Sequence, residues 1–160
     1  MTFKDNWEFQ EKYIDVIRNI LKDNAMYIVD VEVSTPEEDM KEATDLKIKI
    51  TAGDVAVRIR RGICGFRDFT VRGYCDGNRT EIDKLQDGYG DWYLYAWENN
   101  TRNGIDEWVL INLNKARPLF YDKRKVKMNT DGRTGFLTYS INELVEYGCI
   151  VSYKLQDINR

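Results

Sequence analysis

The stretch from Asp45 to Arg61 constrains the fold more than any other part of the chain. Its sequence, DLKIKITAGDVAVRIRR, contains two segments in which apolar and other residues alternate. Alternation with a period of two is typical of half-buried strands, and a short connection that contains Gly53 favours a hairpin. We therefore predict a hairpin with Leu46–Ile50 as its first strand and Val55–Arg60 as its second.

The two faces of this predicted hairpin differ in chemistry. Successive side chains of a strand point to opposite faces, so the aliphatic residues would share the core face. The other face would carry Asp45, Lys47, Lys49, Arg58 and Arg60. One carboxylate among several cations indicates either a solvated surface or a functional site.

Length and composition predict a single domain over residues 1–160. Of the 160 residues, 42% are hydrophobic and 12% are aromatic, which is enough for a sizeable core. The net charge of −3 disfavours binding of nucleic acid by bulk charge alone, although the 24 Lys and Arg residues could form a local basic patch. No apolar run approaches the roughly twenty residues of a transmembrane helix, and the N-terminus lacks the pattern of a signal peptide. We expect a cytoplasmic protein without membrane contact.

The absence of histidine limits the chemistry that this chain can perform. Ser-His-Asp and Cys-His mechanisms, His-rich zinc sites and histidine proton shuttles are excluded. Any acid–base catalysis would use Asp, Glu, Lys or Tyr. The three cysteines, Cys64, Cys75 and Cys149, fit neither a metal-binding pair nor a redox motif, so we expect reduced thiols.

Two main helices are predicted, one before and one after the hairpin. Apolar residues recur at helical spacing over residues 6–22, which predicts a first amphipathic helix. Thr80 can cap a second helix, which we predict over residues 80–99. The aromatic side chains of this second segment could stack on bases, but their apolar stripe favours core packing.

Further strands complete the predicted fold. Strand-like patterns occur at residues 26–33, 67–72, 136–139 and 149–155, and the near-continuous apolar run at 108–113 indicates a central strand. Ser140 and Glu143 have capping-box spacing before a short helix that would end at Gly148. We therefore predict an α+β fold, with a mixed, mostly antiparallel sheet flanked by the two main helices. Its core would cover residues 6–113, and a small α+β extension would cover 118–160.

The order of these elements resembles that of the PD-(D/E)XK nuclease-like superfamily. Members of that superfamily carry an Asp at the start of the second core strand and Glu-x-Lys on the third. Asp45 has the position of that Asp, at the start of the first hairpin strand. The second hairpin strand offers Ala56-Val57-Arg58 or Arg58-Ile59-Arg60 where Glu-x-Lys is expected, so the second carboxylate is missing. The resemblance covers residues 6–113 and implies a restriction-endonuclease-like core.

The resemblance also implies phosphodiester hydrolysis, provided that another element supplies the missing carboxylate. Mg²⁺ takes hard oxygen ligands, commonly one or two carboxylates. Some members of the superfamily carry the missing residue on the second helix, where Glu81 and Lys84 lie one turn apart on one face. The implied site has Asp45 and Glu81 as ligands of Mg²⁺, with Lys84 or Arg58 stabilising charge at the phosphate. The alternatives are a turn or cap role for Asp45, an ordinary first-turn position for Glu81 and a solvated Lys84.

A cluster of arginines between residues 58 and 72 predicts a surface that binds phosphate. Arginine makes bidentate contacts to phosphate groups. The residues expected to hold a nucleic-acid backbone are Arg60, Arg61, Arg67 and Arg72. The alternative is an exposed sheet face whose arginines pair with Asp54, Asp68 and Glu81. The basic loop at 123–127 could likewise contact a nucleic-acid backbone or be solvated.

Two functions are consistent with these patterns. The first is a nuclease-like domain that engages nucleic acid and cleaves it with Mg²⁺. The second is a catalytically inactive, nuclease-like module of the phage or mobile-element type, which binds or inhibits a protein partner. The missing Glu-x-Lys residues motivate the second function, and the acidic overall charge favours a protein partner over DNA. Convergence of the Asp45 and Glu81 carboxylates on one metal would support the first.

Overall fold

The computed structural model describes residues 8–9, 11–24, 29–33, 46–50, 53–61, 65–122 and 124–156. For the strand segments 29–33 and 46–50 we describe the backbone alone. The chain divides into two compact units, Met1–Ala52 and Gly53–Arg160. The expected single domain stays a prediction.

The described residues of the first unit include helical segments and a two-stranded sheet. Helix α1 spans Ile14–Asp23, so the predicted first helix is confirmed in its second half. Strands β1 (Val29–Val33) and β2 (Leu46–Ile50) pair antiparallel over their whole length. The predicted start of the helix near residue 6 and the segment 34–45, which includes Asp45, lie outside the described residues.

The second unit contains seven strands and three helices among its described residues. In chain order they are β3 (Val55–Arg60), β4 (Asp68–Cys75), α2 (Glu81–Gln86), β5 (Trp92–Glu98), β6 (Ile105–Asn112), α3 (Leu113–Phe120), β7 (Lys127–Met128), β8 (Thr134–Ser140), α4 (Ile141–Glu146) and β9 (Ile150–Lys154). One sheet has four strands in the order β3-β5-β6-β9, and the other has three in the order β4-β8-β7. The predicted α+β class and the mostly antiparallel pairing are therefore confirmed.

The predicted hairpin of Leu46–Ile50 with Val55–Arg60 is wrong. The first segment is β2, which pairs with β1. The second segment is β3, which pairs in parallel with β5 so that Val55 lies opposite Trp92. Alternation identifies both strands, but it does not specify their partners. A parallel pair also needs a long crossover connection, which leaves no local signal in the sequence.

The predicted second helix is correct only over its first turns. Helix α2 ends at Gln86, and strand β5 follows where the helix was expected to continue. Gly88 and Gly90 separate the two elements with φ angles of 94° and 73°, which glycine adopts readily and other residues rarely. The aromatic residues after them have high strand propensity, so the second main helix is short. No helix in the described part of the chain is long and apolar enough to cross a membrane.

Aromatic rings from both sheets form the core of the second unit. Phe69 of β4 packs edge-on against Tyr93 and Tyr95 of β5, with ring centroids 5.0 and 5.3 Å apart. Phe120 of α3 and Tyr139 of β8 pack edge-on at 5.6 Å. All five rings are buried. The core role predicted for the aromatic residues of segment 80–99 is confirmed, although they lie on a strand and not on a helix.

The predicted central strand and the two predicted helix caps are also present. Strand β6 lies between β5 and β9. The backbone N–H of Thr80 donates to Asp83 Oδ2 at 2.7 Å, and the Thr80 hydroxyl accepts from the Asp83 N–H at 3.4 Å, which completes a capping box. The Ser140 hydroxyl accepts from the Glu143 N–H at 3.1 Å. The Glu143 carboxylate pairs with Arg124, so only half of this second predicted box forms.

Candidate functional site

The Glu81 carboxylate lies in a network of hydrogen-bond donors. Its Oε2 accepts from Arg58 Nη2 at 2.6 Å and from the backbone N–H of Arg72 at 3.0 Å. Its Oε1 accepts from the hydroxyl of Tyr93 at 2.5 Å. Both oxygens therefore have donors, and one of these donors is a guanidinium group.

These surroundings do not fit a divalent cation at Glu81. A metal ion would have to displace Arg58 from Oε2 and would be repelled by its charge at close range. Asp45, the other predicted ligand, lies outside the described residues, so the predicted Mg²⁺ site stays a prediction. Among the residues that the structure describes, no group of three or more Cys, Asp or Glu side chains could hold a metal ion.

Arg58 and Glu81 together bind the outer edge of strand β4, which is the terminal strand of the three-stranded sheet. Arg58 Nη1 donates to the carbonyl oxygen of Thr70 at 2.9 Å. Glu81 accepts from the N–H of Arg72, two residues further along the same edge. The ion pair therefore satisfies one acceptor and one donor of β4, as a neighbouring strand would.

Burial and neighbouring charges fix the protonation of this network. Burial lowers the pKa of Arg58, but Tyr93 and Glu81 outweigh that effect, and the pKa lies above its usual value. Burial raises the pKa of Tyr93 well above its usual value, against the opposing charge of Arg58. Arg58 is therefore charged and Tyr93 neutral at physiological pH. Tyr93 acts as a hydrogen-bond donor to Glu81 and is not poised to act as a base.

Two of the predicted backbone-binding arginines make contacts within the protein. Arg60 Nη1 donates to the hydroxyl of Thr70 at 3.0 Å. Arg67 Nε donates to Glu107 Oε2 at 2.7 Å, and its guanidinium lies over the ring of Trp97, 5.5 Å from the centroid. These contacts hold the guanidinium groups against the protein, which reduces their ability to reach an external phosphate.

The other predicted cations are exposed. Arg61 follows strand β3, Arg72 lies on β4, and Lys84 lies in the last turn of α2. The predicted arginine cluster therefore does not form one surface. Arg60 and Arg67 contact groups within the protein, and Arg61 and Arg72 lie in different parts of the chain's surface. Arg72 is the member that shares a sheet surface with other exposed cations.

Arg72 belongs to a row of three side chains that crosses the three-stranded sheet. Arg72 of β4 lies opposite Phe136 of β8, and Phe136 lies opposite Lys127 of β7. Side chains opposite each other on neighbouring strands share one face. The adjacent pair, Val71 and Leu137, is buried in the core, so Arg72, Phe136 and Lys127 project from the other face. We call these three residues the outer row.

The outer row combines two cations with an aromatic ring. Arg72 and Lys127 are exposed, and Phe136 between them is partly exposed. Opposite residues in a sheet have Cβ atoms about 4.5–5.5 Å apart, so each cation can reach the edge of the ring. Neither cation has an ion-pair partner among the described residues. A planar group stacked on this ring would have a positive charge on either side.

A pocket of about 410 Å³ opens on the same face of the sheet. Its lining residues are Asp68, Arg124, Lys125, Lys127, Thr138, Ser140 and Glu143. Lys127 belongs to both the pocket and the outer row. Thr138 and Ser140 follow Phe136 on β8 by two and four residues, so they project from the same face. The pocket therefore continues the surface that the outer row begins.

Arg124 is held firmly in the wall of this pocket. Its guanidinium donates two hydrogen bonds to Glu143 and one, at 3.1 Å, to the carbonyl of Thr138. It also lies over the ring of Tyr139, 4.2 Å from the centroid. The hydrogen bond with Glu143 raises the pKa of Arg124 above its usual value. Arg124 and Glu143 balance each other, which leaves the two lysines and the aspartate to determine the charge of the pocket.

No family model, curated protein or solved structure matches this chain. The resemblance to the PD-(D/E)XK superfamily therefore stays a prediction, carried by element order and Asp45.

Charge is unevenly distributed between the two units. Residues 1–52 contain seven Lys and Arg against twelve Asp and Glu, a net charge of −5. Residues 53–160 contain seventeen Lys and Arg against fifteen Asp and Glu, a net charge of +2. The acidity of the chain thus belongs to the first unit. The charge counts were available in the sequence, but the unit boundary and the strand register that forms the outer row were not.

Proposed function

We propose that the second unit binds single-stranded nucleic acid through the outer row and does not cleave it. The observation that carries this proposal is the position of Phe136 between Arg72 and Lys127 on the exposed face of the sheet. Proteins that bind single strands combine aromatic rings, on which bases stack, with cations that follow the backbone. An aromatic residue on a β-sheet surface is a recurring platform for unpaired RNA bases.

The expected contributions of ring and cations can be measured separately. Stacking of one base on an aromatic side chain contributes about 1–3 kcal/mol. Each phosphate that a cation neutralises steepens the dependence of log K on log salt by about 0.7 for a single strand. The net charge of +2 on residues 53–160 supports attraction of a polyanion, although the charge is small. We therefore expect weak binding that strengthens as salt is lowered.

The contacts of Glu81 support binding without hydrolysis, because Arg58 and Tyr93 already occupy its oxygens. Cleavage by Asp45 and Glu81, with Lys84 at the phosphate, stays a prediction of the family resemblance. Incubation of a mixed DNA and RNA panel with Mg²⁺ or Mn²⁺ tests it, and we expect no cleavage. If the panel is cleaved and Asp45→Ala abolishes that cleavage, the protein is a nuclease and the proposal of binding without cleavage is wrong.

Fluorescence anisotropy of short, labelled single strands of RNA and DNA tests the proposed binding. Phe136→Leu keeps an apolar side chain but removes the ring, and we expect about tenfold weaker binding. Arg72→Gln removes one cation, and we expect a salt dependence shallower by about 0.7. Lys154→Gln removes an exposed cation at the end of β9, outside the outer row, and should change neither quantity.

Three results would overturn the proposal. One is the absence of binding at low salt. Another is an equal loss of affinity in Phe136→Leu and Lys154→Gln, which would mean that binding depends on general charge. The third is equal affinity for single strands and duplexes of the same length, because paired bases are not available for stacking on the ring. Urea unfolding of each variant checks that the second unit remains folded.

A protein partner is a second candidate function, favoured by a different surface. Tyr89 and Tyr121 are 62% and 64% exposed near the end of α2. The guanidinium of Arg79 lies 5.6 Å from the Tyr89 ring centroid, and the Tyr121 hydroxyl donates to the carbonyl of Gln86 at 2.8 Å. Tyr and Arg are enriched at protein interfaces. A stoichiometric partner that a Tyr89→Ser/Tyr121→Ser variant fails to retain would support this function, and recovery of no such partner would contradict it.

A further inference from the structure

We infer that the pocket beside the outer row binds one nucleotide, with its phosphate on Lys125 and Lys127 and a hydrogen-bond donor of the same nucleotide on Asp68. The inference deepens the proposed function and rests on it, because it takes a nucleotide as the ligand. Three properties of the pocket carry it: its size, its unbalanced charges and its position.

The size of the pocket suits a small organic ligand. Its volume is about 410 Å³, within the range of roughly 300–1,000 Å³ that is typical of small-molecule sites. Its lining provides ammonium groups, a guanidinium, two hydroxyls and two carboxylates. A ligand with several polar groups matches this lining better than an apolar molecule does.

The cations of the pocket provide a place for a phosphate. Lys125 and Lys127 are exposed; Lys127 begins β7, and Lys125 precedes it by two residues. Neither has an ion-pair partner among the residues that the structure describes. Arg124 is already balanced by Glu143, so the two lysines supply the positive charge that is available to a ligand. Lysine is a common phosphate ligand in proteins, where it acts as a point charge.

Asp68 shows that the ligand must carry more than a phosphate. Its side chain lines the pocket from β4, opposite Ser140, and its carboxylate has no hydrogen-bond donor among the described residues. A carboxylate repels a phosphate bound nearby, so this pocket is poorly suited to a free phosphate ion. It suits an anion that also carries a neutral donor. A nucleotide has both, since its ribose hydroxyls or its base amino group can donate to the carboxylate.

The position of the pocket connects it with the proposed path of the strand. Lys127 belongs to both sites, and Thr138 in the pocket lies two residues, or about 7 Å, from Phe136 along β8. A strand with one base stacked on Phe136 can therefore continue into the pocket with a neighbouring nucleotide. The pocket would add contacts that read the identity of that nucleotide, whereas stacking alone tolerates any base.

Titration of the ¹⁵N-labelled full chain with inorganic phosphate and with nucleoside 5′-monophosphates tests this inference. Lys125→Gln should weaken binding of both ligands. Asp68→Ala should have opposite effects: about tenfold weaker binding of the nucleotide, which loses an acceptor, and tighter binding of phosphate, which loses a repulsive charge. Lys154→Gln should leave both affinities unchanged.

The choice of nucleotide identifies the donor. Tighter binding of UMP than of dUMP supports the 2′-hydroxyl as the group that Asp68 accepts. Tighter binding of GMP than of UMP, with no effect of the 2′-hydroxyl, supports the amino group of the base. Asp68→Ala variants that bind both nucleotides and phosphate more tightly would overturn the inference, because Asp68 would then act only by repulsion. Affinities that are insensitive to Lys125→Gln would also overturn it.

Failure of this inference can be distinguished from failure of the proposed function. Lys125 and Asp68 belong to the pocket alone, whereas Arg72 and Phe136 belong to the outer row alone. Oligonucleotide binding that responds to Phe136→Leu but to neither pocket variant would refute the pocket and retain the function. Mononucleotide binding that responds to the pocket variants, without any binding of oligonucleotides, would refute the function and retain the pocket.

Discussion

Replacing Glu81 by alanine would remove the acceptor of three hydrogen bonds at once. The guanidinium of Arg58, the backbone N–H of Arg72 and the hydroxyl of Tyr93 would all lose this partner. The side chains of Arg58 and Glu81 are only 29% and 23% exposed, so water can replace the lost contacts only in part. We therefore expect the variant to lower the free energy of unfolding substantially.

The magnitude follows from the cost of leaving a charge without its partner. Breaking a buried ion pair from one side costs about 3–5 kcal/mol. The residual exposure of this pair places Glu81→Ala near the lower end, at about 3 kcal/mol. Glu81→Gln keeps an acceptor of the same size but removes the charge, and we expect a loss of about 1–2 kcal/mol. Arg58→Met combined with Glu81→Gln should cost less than the two single changes together, with a coupling of about 1–2 kcal/mol.

Urea unfolding followed by tryptophan fluorescence measures these free energies, since buried Trp97 reports on the core of the second unit. A loss below about 1 kcal/mol for Glu81→Ala, or a coupling energy near zero, would refute the reasoning. Mg²⁺ provides a separate check. A metal bound at Glu81 with a Kd one hundredth of the free Mg²⁺ concentration would raise the free energy of unfolding by about 2.7 kcal/mol, and we expect no such increase.

Three further predictions concern other buried groups and turns. Burial raises the pKa of Tyr139 to about 12. In the unfolded chain this tyrosine loses its hydroxyl proton near pH 10, whereas the folded chain keeps that proton. The free energy of unfolding should therefore fall by up to about 2.7 kcal/mol between pH 10 and 12. Tyr139→Phe should remove that part of the loss. The buried hydroxyl has no hydrogen-bond partner among the described residues, so the variant should leave stability at pH 7 unchanged or raise it by up to about 1 kcal/mol in urea unfolding. Arg117→Ala should cost about 2–4 kcal/mol in thermal or urea unfolding, since its guanidinium donates to the carbonyl of Leu85 in α2 and to those of Gly88 and Gly90 between α2 and β5. An equally stable alanine variant would contradict this role. Gly90→Ala should cost about 2 kcal/mol and Gly132→Ala about 1 kcal/mol. Both glycines have positive φ angles, but of the two only Gly90 has a neighbour that an added Cβ would meet, Leu113 Cδ1 at 3.0 Å. Equal losses of stability in the two variants would refute this steric argument.

Features that depend on neighbouring residues could be predicted from the sequence. The cap at Thr80 and the strands β4 and β6 are determined largely by residue types within a few positions of one another. Helix α3 was not predicted, although Asn112 caps it. Pro118 lies inside this helix, where proline is normally unfavourable. The proline occupies the sixth of eight helical positions, and the helix ends shortly after it.

Features that depend on distant residues could not be predicted. Strand alternation identified β3 but gave no information on whether its partner was β2 or β5. In the candidate site, Glu81 was selected as a metal ligand, and its contact with Arg58 depends on the position of α2 against β3 and β4. The outer row depends on the registers of three strands, so no local pattern links Arg72 with Phe136 and Lys127.

The ion pair at the edge of β4 also bears on how molecules of this protein behave towards one another at high concentration. An exposed strand edge offers free N–H and carbonyl groups on which a strand of another molecule can assemble, a common first step in aggregation. At β4, the carbonyl of Thr70 and the N–H of Arg72 are already occupied by Arg58 and Glu81. An incoming strand would have to separate two opposite charges before it could pair. The contact that gives Glu81 its place in the fold thereby protects the three-stranded sheet against extension by a neighbouring molecule.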